Sequence, residues 1–293
     1  MSKNIVPPHF SYSSLSSYMQ CGKRYFLEKI AHVPELPSWW FVGGSAVHEL
    51  TELYDRSPEK FQESGLDQLW SDIFNREVEA QKTRFTDVSK WQTAGKKKAN
   101  PDGEDYLAWM DLGPKFVQNY IDWRTSSPME LWQDAVSGFD PSTGEVEYSP
   151  GIELALEFEI ADWKARGSID RVFYSADGQD LVVIDLKTGS RMPDSDLQLG
   201  LYAVGMEVQY GERPKYGAFY NLRQNRISQM YDLDDYTVDS IGQLGVQFKR
   251  AVENKIFLPH KSALCNYCPV NAGCAAFGGE DAHLYTIEKV LNG

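Results

Sequence analysis

Two aspartates and one lysine carry most of the chemistry open to this sequence. Asp170 closes the run Gly167-Ser168-Ile169-Asp170, Asp185 and Lys187 stand in Asp185-Leu186-Lys187-Thr188-Gly189, and Gln198 and Tyr202 follow shortly after. Asp170 falls inside a predicted strand and Asp185 at the end of a strongly apolar one, where an unpaired carboxylate is costly to bury. A bound divalent cation removes that cost. Hard cations such as magnesium and manganese take oxygen ligands, so the two carboxylates and the Leu186 backbone carbonyl form a partial shell that water completes. Asp185 and Lys187 are two residues apart in a strand and so leave the same face, which sets an ammonium beside the cation. Such a lysine can orient an attacking water and steady the charge on a pentacovalent phosphorus, while the cation lowers the water's pKa and polarises the phosphate. Gln198 and Tyr202, at i and i+4 on a predicted helix, share a face and can position the metal shell or the reacting phosphate. The bland alternative is a structural ion pair between Asp170 and Lys187 with DLKTG as a strand end followed by a turn, and a D-x-K triplet taken singly is weak evidence; the combined set is far more specific.

The elements that position these residues are legible as a change of period. Residues 13–30 open with serines and place Leu15, Tyr18, Tyr25 and Phe26 near helical spacing, predicting a helix that carries Cys21. A second helix is expected after Gly43 and Gly44, with Val47, Leu50 and Tyr54 on one face and His48 beside them. Residues 58–125 read as helical and acidic with a soft stretch near Gly95 to Gly103 that holds Lys96, Lys97 and Lys98, and Gly138 to Gly151 reads as a connecting loop. Leu154, Leu156, Phe158 and Ile160 then alternate with glutamates, as in a half-buried strand; a strand over 166–174, a turn at Ala176-Asp177-Gly178 and a central strand at Leu181 to Ile184 follow. A helix from about Ser195 to Tyr210, strands near Tyr216 to Leu222 and Ile227 to Tyr231, and a helix at about 236–253 complete the order. This predicts an α/β fold, a mixed sheet with helices against it. One domain spanning 1–293 is expected, divided into N-terminal helices (10–56), a helical insertion (57–149), a catalytic α/β core (150–258) and a Cys-rich tail (259–293).

The four cysteines form a second set. Cys21 stands alone near the N-terminus, while Cys265, Cys268 and Cys274 form C-x₂-C-x₅-C in the tail. Three tail thiolates can hold three corners of a metal site, and Cys21 supplies the fourth only if the two ends of the chain meet. Zinc and an iron–sulfur cluster suit four thiolates equally well.

A net charge of −13 argues against a general nucleic-acid coat, because phosphate binding needs local lysines and arginines. It leaves room for a local basic track, and Arg213, Lys215, Arg223 and Arg226 form a candidate phosphate-binding stretch with Tyr216, Phe219 and Tyr220 interleaved as core residues or base-stacking ones. No apolar run approaches the roughly 20 residues needed to span a bilayer. The opening MSKNIVPPHF lacks a secretory layout, so a reducing cytoplasm without disulfides is expected. The sequence carries no P-loop of the G-x-x-x-x-G-K-[ST] type, so strand unwinding is expected to come from a partner.

GSIDRV, VVIDLKTG and LQLGLYA together resemble the core motifs of the PD-(D/E)xK nucleases, in particular the RecB-type branch that includes CRISPR-associated exonucleases and helicase-coupled recombination nucleases. The resemblance spans roughly residues 10–56 and 150–280. It implies a restriction-endonuclease-like core and active-site roles for His48, Asp170, Asp185 and Lys187, with the Leu186 carbonyl as a further ligand and Gln198 and Tyr202 in support. His48 enters through Gly43-Gly44-Ser45-Ala46-Val47-His48, which fits the family's upstream helix; Glu157 is a weaker candidate. One cysteine before the core and three after it resemble the family's [4Fe–4S] staple, so a structural cluster on Cys21, Cys265, Cys268 and Cys274 is implied. So are magnesium or manganese, single-stranded or frayed DNA as substrate, exonuclease action, and helicase, recombination or CRISPR partners. The rival expectations are a vestigial DNA-binding adaptor and a zinc-stapled endonuclease.

Overall fold

In this computed structural model, residues 5–96, 103–139, 142 and 146–292 are described. In chain order they form β1 (His9–Phe10), α1 (Tyr12–Gln20), α2 (Gly22–Tyr25), a π-helical turn (Phe26–Ile30), α3 (Trp39–Arg56), α4 (Glu59–Ser64), α5 (Leu66–Lys82) and α6 (Tyr106–Ser126). Then come the strands β2 (Ala135–Phe139), β3 (Val146–Ser149), β4 (Ile152–Ile160), β5 (Trp163–Tyr174) and β6 (Leu181–Lys187). The remainder is α7 (Leu197–Tyr210), β7 (Tyr216–Asn221), β8 (Arg226–Ile227), β9 (Tyr231–Asp232), α8 (Val238–Glu253), short 3₁₀ turns and α9 (Ile287–Asn292). Two compact units result: Met1–Leu36 with Glu157–Gly167 and Thr237–Gly293, and Pro37–Leu156 with Ser168–Tyr236.

The second unit is built on a mixed sheet. β5 runs antiparallel to β6, β6 parallel to β7, and β7 antiparallel to β8 and β9. The crossover from β6 to β7 passes through α7, as a parallel pair requires. Because side chains alternate along a strand, Val182, Ile184 and Leu186 of β6 face a core with Ala218 and Tyr220 of β7, while Asp185 and Lys187 leave the opposite face. Trp39, Val47 and Leu50 of α3, Trp70 and Phe74 of α5, and Trp109 and Tyr120 of α6 close that core. The stretch expected to be a helical insertion therefore supplies several of its largest buried rings.

Three sequence expectations change in the structure. α3 begins at Trp39, so Gly43 and Gly44 lie inside the helix and do not precede it. Tertiary packing explains this: a Cβ on Gly43 would stand 2.0 Å from the Trp109 ring, so the glycine gives the indole its seat at the cost of helix propensity. Gly43→Ala should therefore overpack the core by about 1–3 kcal/mol, read as a lowered melting temperature, and an unchanged melt would mean Trp109 relocates freely. Secondly, the segment read as a loop from Gly138 contains the ends of the β2–β3 hairpin, paired Ala135↔Ser149 to Phe139↔Val146. Thirdly, the helix expected over 13–30 breaks at Cys21, which is extended (φ −165, ψ 105), and resumes as α2 and the π-turn. Lys97 and Lys98 lie outside the described residues.

In the first unit, β1 pairs parallel with the start of β5, His9↔Lys164 and Phe10↔Ala165. Phe10, Trp163 and Phe248 of α8 form an aromatic cluster that Tyr18 and Tyr25 extend. The tail returns to the N-terminal helices: Tyr18 donates to the Ile256 carbonyl at 2.8 Å, and the Lys23 N–H to the Leu258 carbonyl at 3.2 Å. The two ends of the chain meet within this unit.

Candidate active site

The site assembles in the second unit on residues of α3, β4, β5, β6 and α7. Asp170 on β5 accepts the Leu186 N–H of β6 at 2.6 Å through Oδ2 and turns Oδ1 to within 3.4 Å of His48 Nδ1 on α3. Glu153, near the start of β4, places Oε1 3.9 Å from the same nitrogen. One ligand atom from each of His48, Glu153 and Asp170 lies within 4.8 Å of the others. Glu153 sits at φ +46, a left-handed conformation that side chains other than glycine's rarely adopt. Such a backbone persists where its surroundings over-determine it, and here it coincides with a carboxylate aimed at the site.

A second group adjoins the first. Lys187 Nζ lies 2.5 Å from Asp185 Oδ2 as an ion pair. Lys187 also donates to Gln198 Oε1 at 2.9 Å, Gln198 donates to the Tyr202 hydroxyl at 2.7 Å, and Tyr202 donates to Asp185 Oδ1 at 3.3 Å. The four side chains close a ring that holds Asp185 and the ammonium in fixed relation. The i, i+4 spacing of α7 makes this possible, with Gln198 and Tyr202 one turn apart on the face toward β6.

Electrostatics follow from the crowding. Burial works against a charged His48, but the Asp170 carboxylate and then Glu153 override it and lift the imidazole pKa to about 10. Burial likewise disfavours ionised Asp170, yet His48 and the Leu186 N–H hold its carboxyl below the usual range. Burial, opposed by Lys187 and reinforced by Asp170, pushes Asp185 up to about 6. Three carboxylates thus face one imidazolium and one ammonium, one positive charge short of balance, and a divalent cation can take over their neutralisation. The donor set of carboxylate oxygens and one imidazole nitrogen suits a hard divalent cation. His48 and Glu153 line a cleft of about 870 Å³ with Thr188 at the end of the D-x-K-T-G run.

Sequence reasoning passed over Glu153 and named Glu157. Glu157 belongs to the first unit and spends its carboxylate on Lys164 (3.7 Å) and Arg166 (2.9 Å). Alternation along β4 makes these glutamates look equivalent; the β5 residues each one meets, Asp170 and Ser168 or Lys164 and Arg166, distinguish them. Arg171 was also missed. Wholly buried, it donates to Asp55 Oδ2 at 2.6 Å, to the Asp170 carbonyl at 2.5 Å and to Glu153 Oε1 at 3.4 Å, and so braces two site residues from behind. The predicted basic track is not drawn together. Arg213 is held by Glu207 and the Leu233 and Tyr236 carbonyls, Arg223 forms a two-pronged pair with Glu104 (2.8 and 2.9 Å), and Lys215 lies 3.8 Å from Asp180. Arg226 is exposed, whereas Phe219 and Tyr220 are buried in the core. Leu186 enters the site through its N–H.

The four cysteines lie in the first unit and form no disulfide. Cys21 Sγ accepts the His260 N–H at 3.3 Å, and Cys265 Sγ lies 4.0 Å from the carbonyl of the same residue. Among the described residues no three of the four sulfurs approach within 4.8 Å of one another.

A mixed sheet flanked by helices, with a D…D-x-K set and an upstream histidine converging on it, is the arrangement of a metal-dependent nuclease. The chain belongs to the PD-(D/E)XK nuclease superfamily, whose sequence profile matches residues 9–275. It is 27% identical to the Gene 69 protein of Mycobacterium phage L5 over 94% of this chain and 98% of that protein. It is also 27% identical to the Gene 69 protein of Mycobacterium phage D29 over 93% and 98%. Among solved structures, the crystal structure of SSO0001 aligns with 80% of this chain and 95% of that chain at 15% identity, with a TM-score of 0.28. Among the described residues no helix is long and apolar enough to cross a membrane.

Proposed function

We propose that this protein is a magnesium- or manganese-dependent deoxyribonuclease that hydrolyses phosphodiester bonds in single-stranded or frayed DNA, working as an exonuclease in recombination, repair or CRISPR-type processing in a reducing cytoplasm. The observation that carries the reading is the convergence of His48, Glu153 and Asp170 beside the Asp185–Lys187 pair, with His48 and Glu153 on the wall of one cleft. His48, Glu153, Asp170 and Asp185 would hold the cation, with the Leu186 carbonyl as a further ligand. When bound it would polarise the phosphate and supply water of lowered pKa. Lys187, fixed by Gln198, orients the attacking water and meets the charge gathering on the phosphate oxygens. Tyr202 and Gln198 keep Asp185 from rotating away. The exonuclease mode rests on the resemblance to RecB-type enzymes. Digestion of 5′- and 3′-labelled single strands by the purified chain tests it: release of short products with manganese and none with EDTA is expected, and undiminished release in EDTA would overturn the metal requirement.

A [4Fe–4S] cluster on Cys21, Cys265, Cys268 and Cys274 is part of the same proposal. Its support is the meeting of the chain ends in the first unit, with Cys21 and Cys265 flanking His260. A single zinc ion with Zn–S bonds of about 2.3 Å needs its sulfurs within about 4 Å of one another, closer than any three of them lie; a four-iron cube spreads its thiolates further. Anaerobically purified protein should be brown. Cys21→Ser should lose the colour and melt lower, since a staple between distant segments restrains the unfolded chain; colourless wild-type protein carrying stoichiometric zinc would refute the cluster.

A further inference from the structure

Helix α3 presents one stripe of residues to the cleft: Phe41, Ser45, His48 and Glu52. Residues seven apart on an α-helix differ by only about 20° around the axis. Phe41 and His48 therefore leave the same side, about 10 Å apart along it. Between them Gly44 carries no side chain, where a Cβ would stand 3.2 Å from Thr188 Oγ1. Phe41 is 60% exposed, and half-buried Trp40 lines the cleft beside it. An isolated exposed phenylalanine needs no explanation; this one shares its cleft with two candidate metal ligands.

Charge decides how a ligand can be held there. The lining carries Glu49, Glu52 and Glu153 but Arg56 as its one lysine or arginine, and Arg56 is paired with Glu52 at 2.8 Å. Glu49 is paired with Arg76. This wall offers no spare cation for a phosphate backbone, yet it offers an exposed aromatic face, and stacking on aromatic rings is the other way to hold a nucleic-acid strand. Resting on the nuclease reading above, we infer that Phe41, with Trp40 beside it, is a stacking platform for an unpaired base of single-stranded DNA, about three nucleotides from the reacting phosphate at about 3.4 Å per stacked step. A paired base inside a duplex does not offer its face, so the platform selects unpaired or frayed ends.

The test is equilibrium binding of a fluorescent ten-nucleotide single strand to the full chain with magnesium, in a Lys187→Ala background that stops cleavage. Phe41→Ala should weaken binding about 5- to 150-fold, the loss expected for one stacked base at about 1–3 kcal/mol. One abasic position in a scan along the strand should cost the same factor, and should cost nothing further once Phe41 is alanine. Phe41→Tyr should bind like the parent and Phe41→Leu like the alanine variant, with melting temperatures verifying that each folds. Equal affinities for parent and Phe41→Ala, additive losses at every abasic position, parent-like binding by Phe41→Leu, or no binding by the parent would each overturn the platform. If the wild-type chain cleaves single strands while Phe41→Ala binds normally, only this inference fails; if it cleaves no DNA with magnesium or manganese, the nuclease reading itself fails.

Discussion

Replacement of Asp170 by asparagine is expected to slow single-strand cleavage by at least about 10³-fold, because it removes charge where cation binding and phosphate activation both need it. The amide oxygen can still accept the Leu186 N–H that Asp170 now accepts at 2.6 Å, so the local backbone keeps its partner. What disappears is the negative charge facing His48 and the space beside Asp185. Manganese affinity, followed by calorimetry, should fall together with the rate, while the melting temperature holds. Glu157→Gln is the matched control: that glutamate pairs with Lys164 and Arg166 at the surface, and its loss should leave both quantities unchanged. Unaltered cleavage by Asp170→Asn would remove this residue from the chemistry, and a Glu157→Gln variant that failed alongside it would relocate the site.

Arg171→Met should produce the largest loss of stability, about 3–5 kcal/mol, since breaking a buried ion pair leaves its partner charged and desolvated. Arg171 has 0% and Asp55 2% of its side chain exposed, and the guanidinium also bonds to the Tyr120 hydroxyl at 2.9 Å and Thr51 Oγ1 at 3.2 Å. Arg124, at 3.2 Å from Asp55, remains to compensate in part. For a chain of this size the melting temperature should fall by roughly 1.5–2 °C per kcal/mol. Methionine keeps most of the volume, so the loss reports the charge. Adding Asp55→Leu should recover part of it, as apolar replacements of buried pairs often do. A loss under about 1 kcal/mol, or no recovery in the double variant, would show that the network is incidental to the fold. The same substitution frees Glu153 from its brace, so cleavage should drop even in protein that remains folded.

Much of the site was written locally. The two-residue period of a strand put Asp185 and Lys187 on one side of β6, and the helical period put Gln198 and Tyr202 on one side of α7; the closed ring among these four follows from spacing that neighbouring residues carry. The resemblance of GGSAVH to an upstream motif pointed to His48, which α3 delivers to Asp170 although α3 begins earlier than glycine content suggested. Those features depend on a few adjacent residues and the geometry of one element.

What tertiary structure decided lies between elements. Glu153 and Glu157 occupy equivalent places in the alternation of β4, but strand pairing sets Glu153 beside His48 and Asp170 and Glu157 beside Lys164 and Arg166. Arg171 stands next to Asp170 in sequence, but its partners Asp55 and Tyr120 come from α3 and α6, 116 and 51 residues away. The basic residues between 213 and 226 looked like a track because sequence shows charge without showing what neutralises it; Glu207 and Glu104 do so after folding. Periodicity reports which side of an element a residue occupies, since that depends on its own backbone. Which distant side chain it then meets depends on how the elements pack, and no local pattern records that.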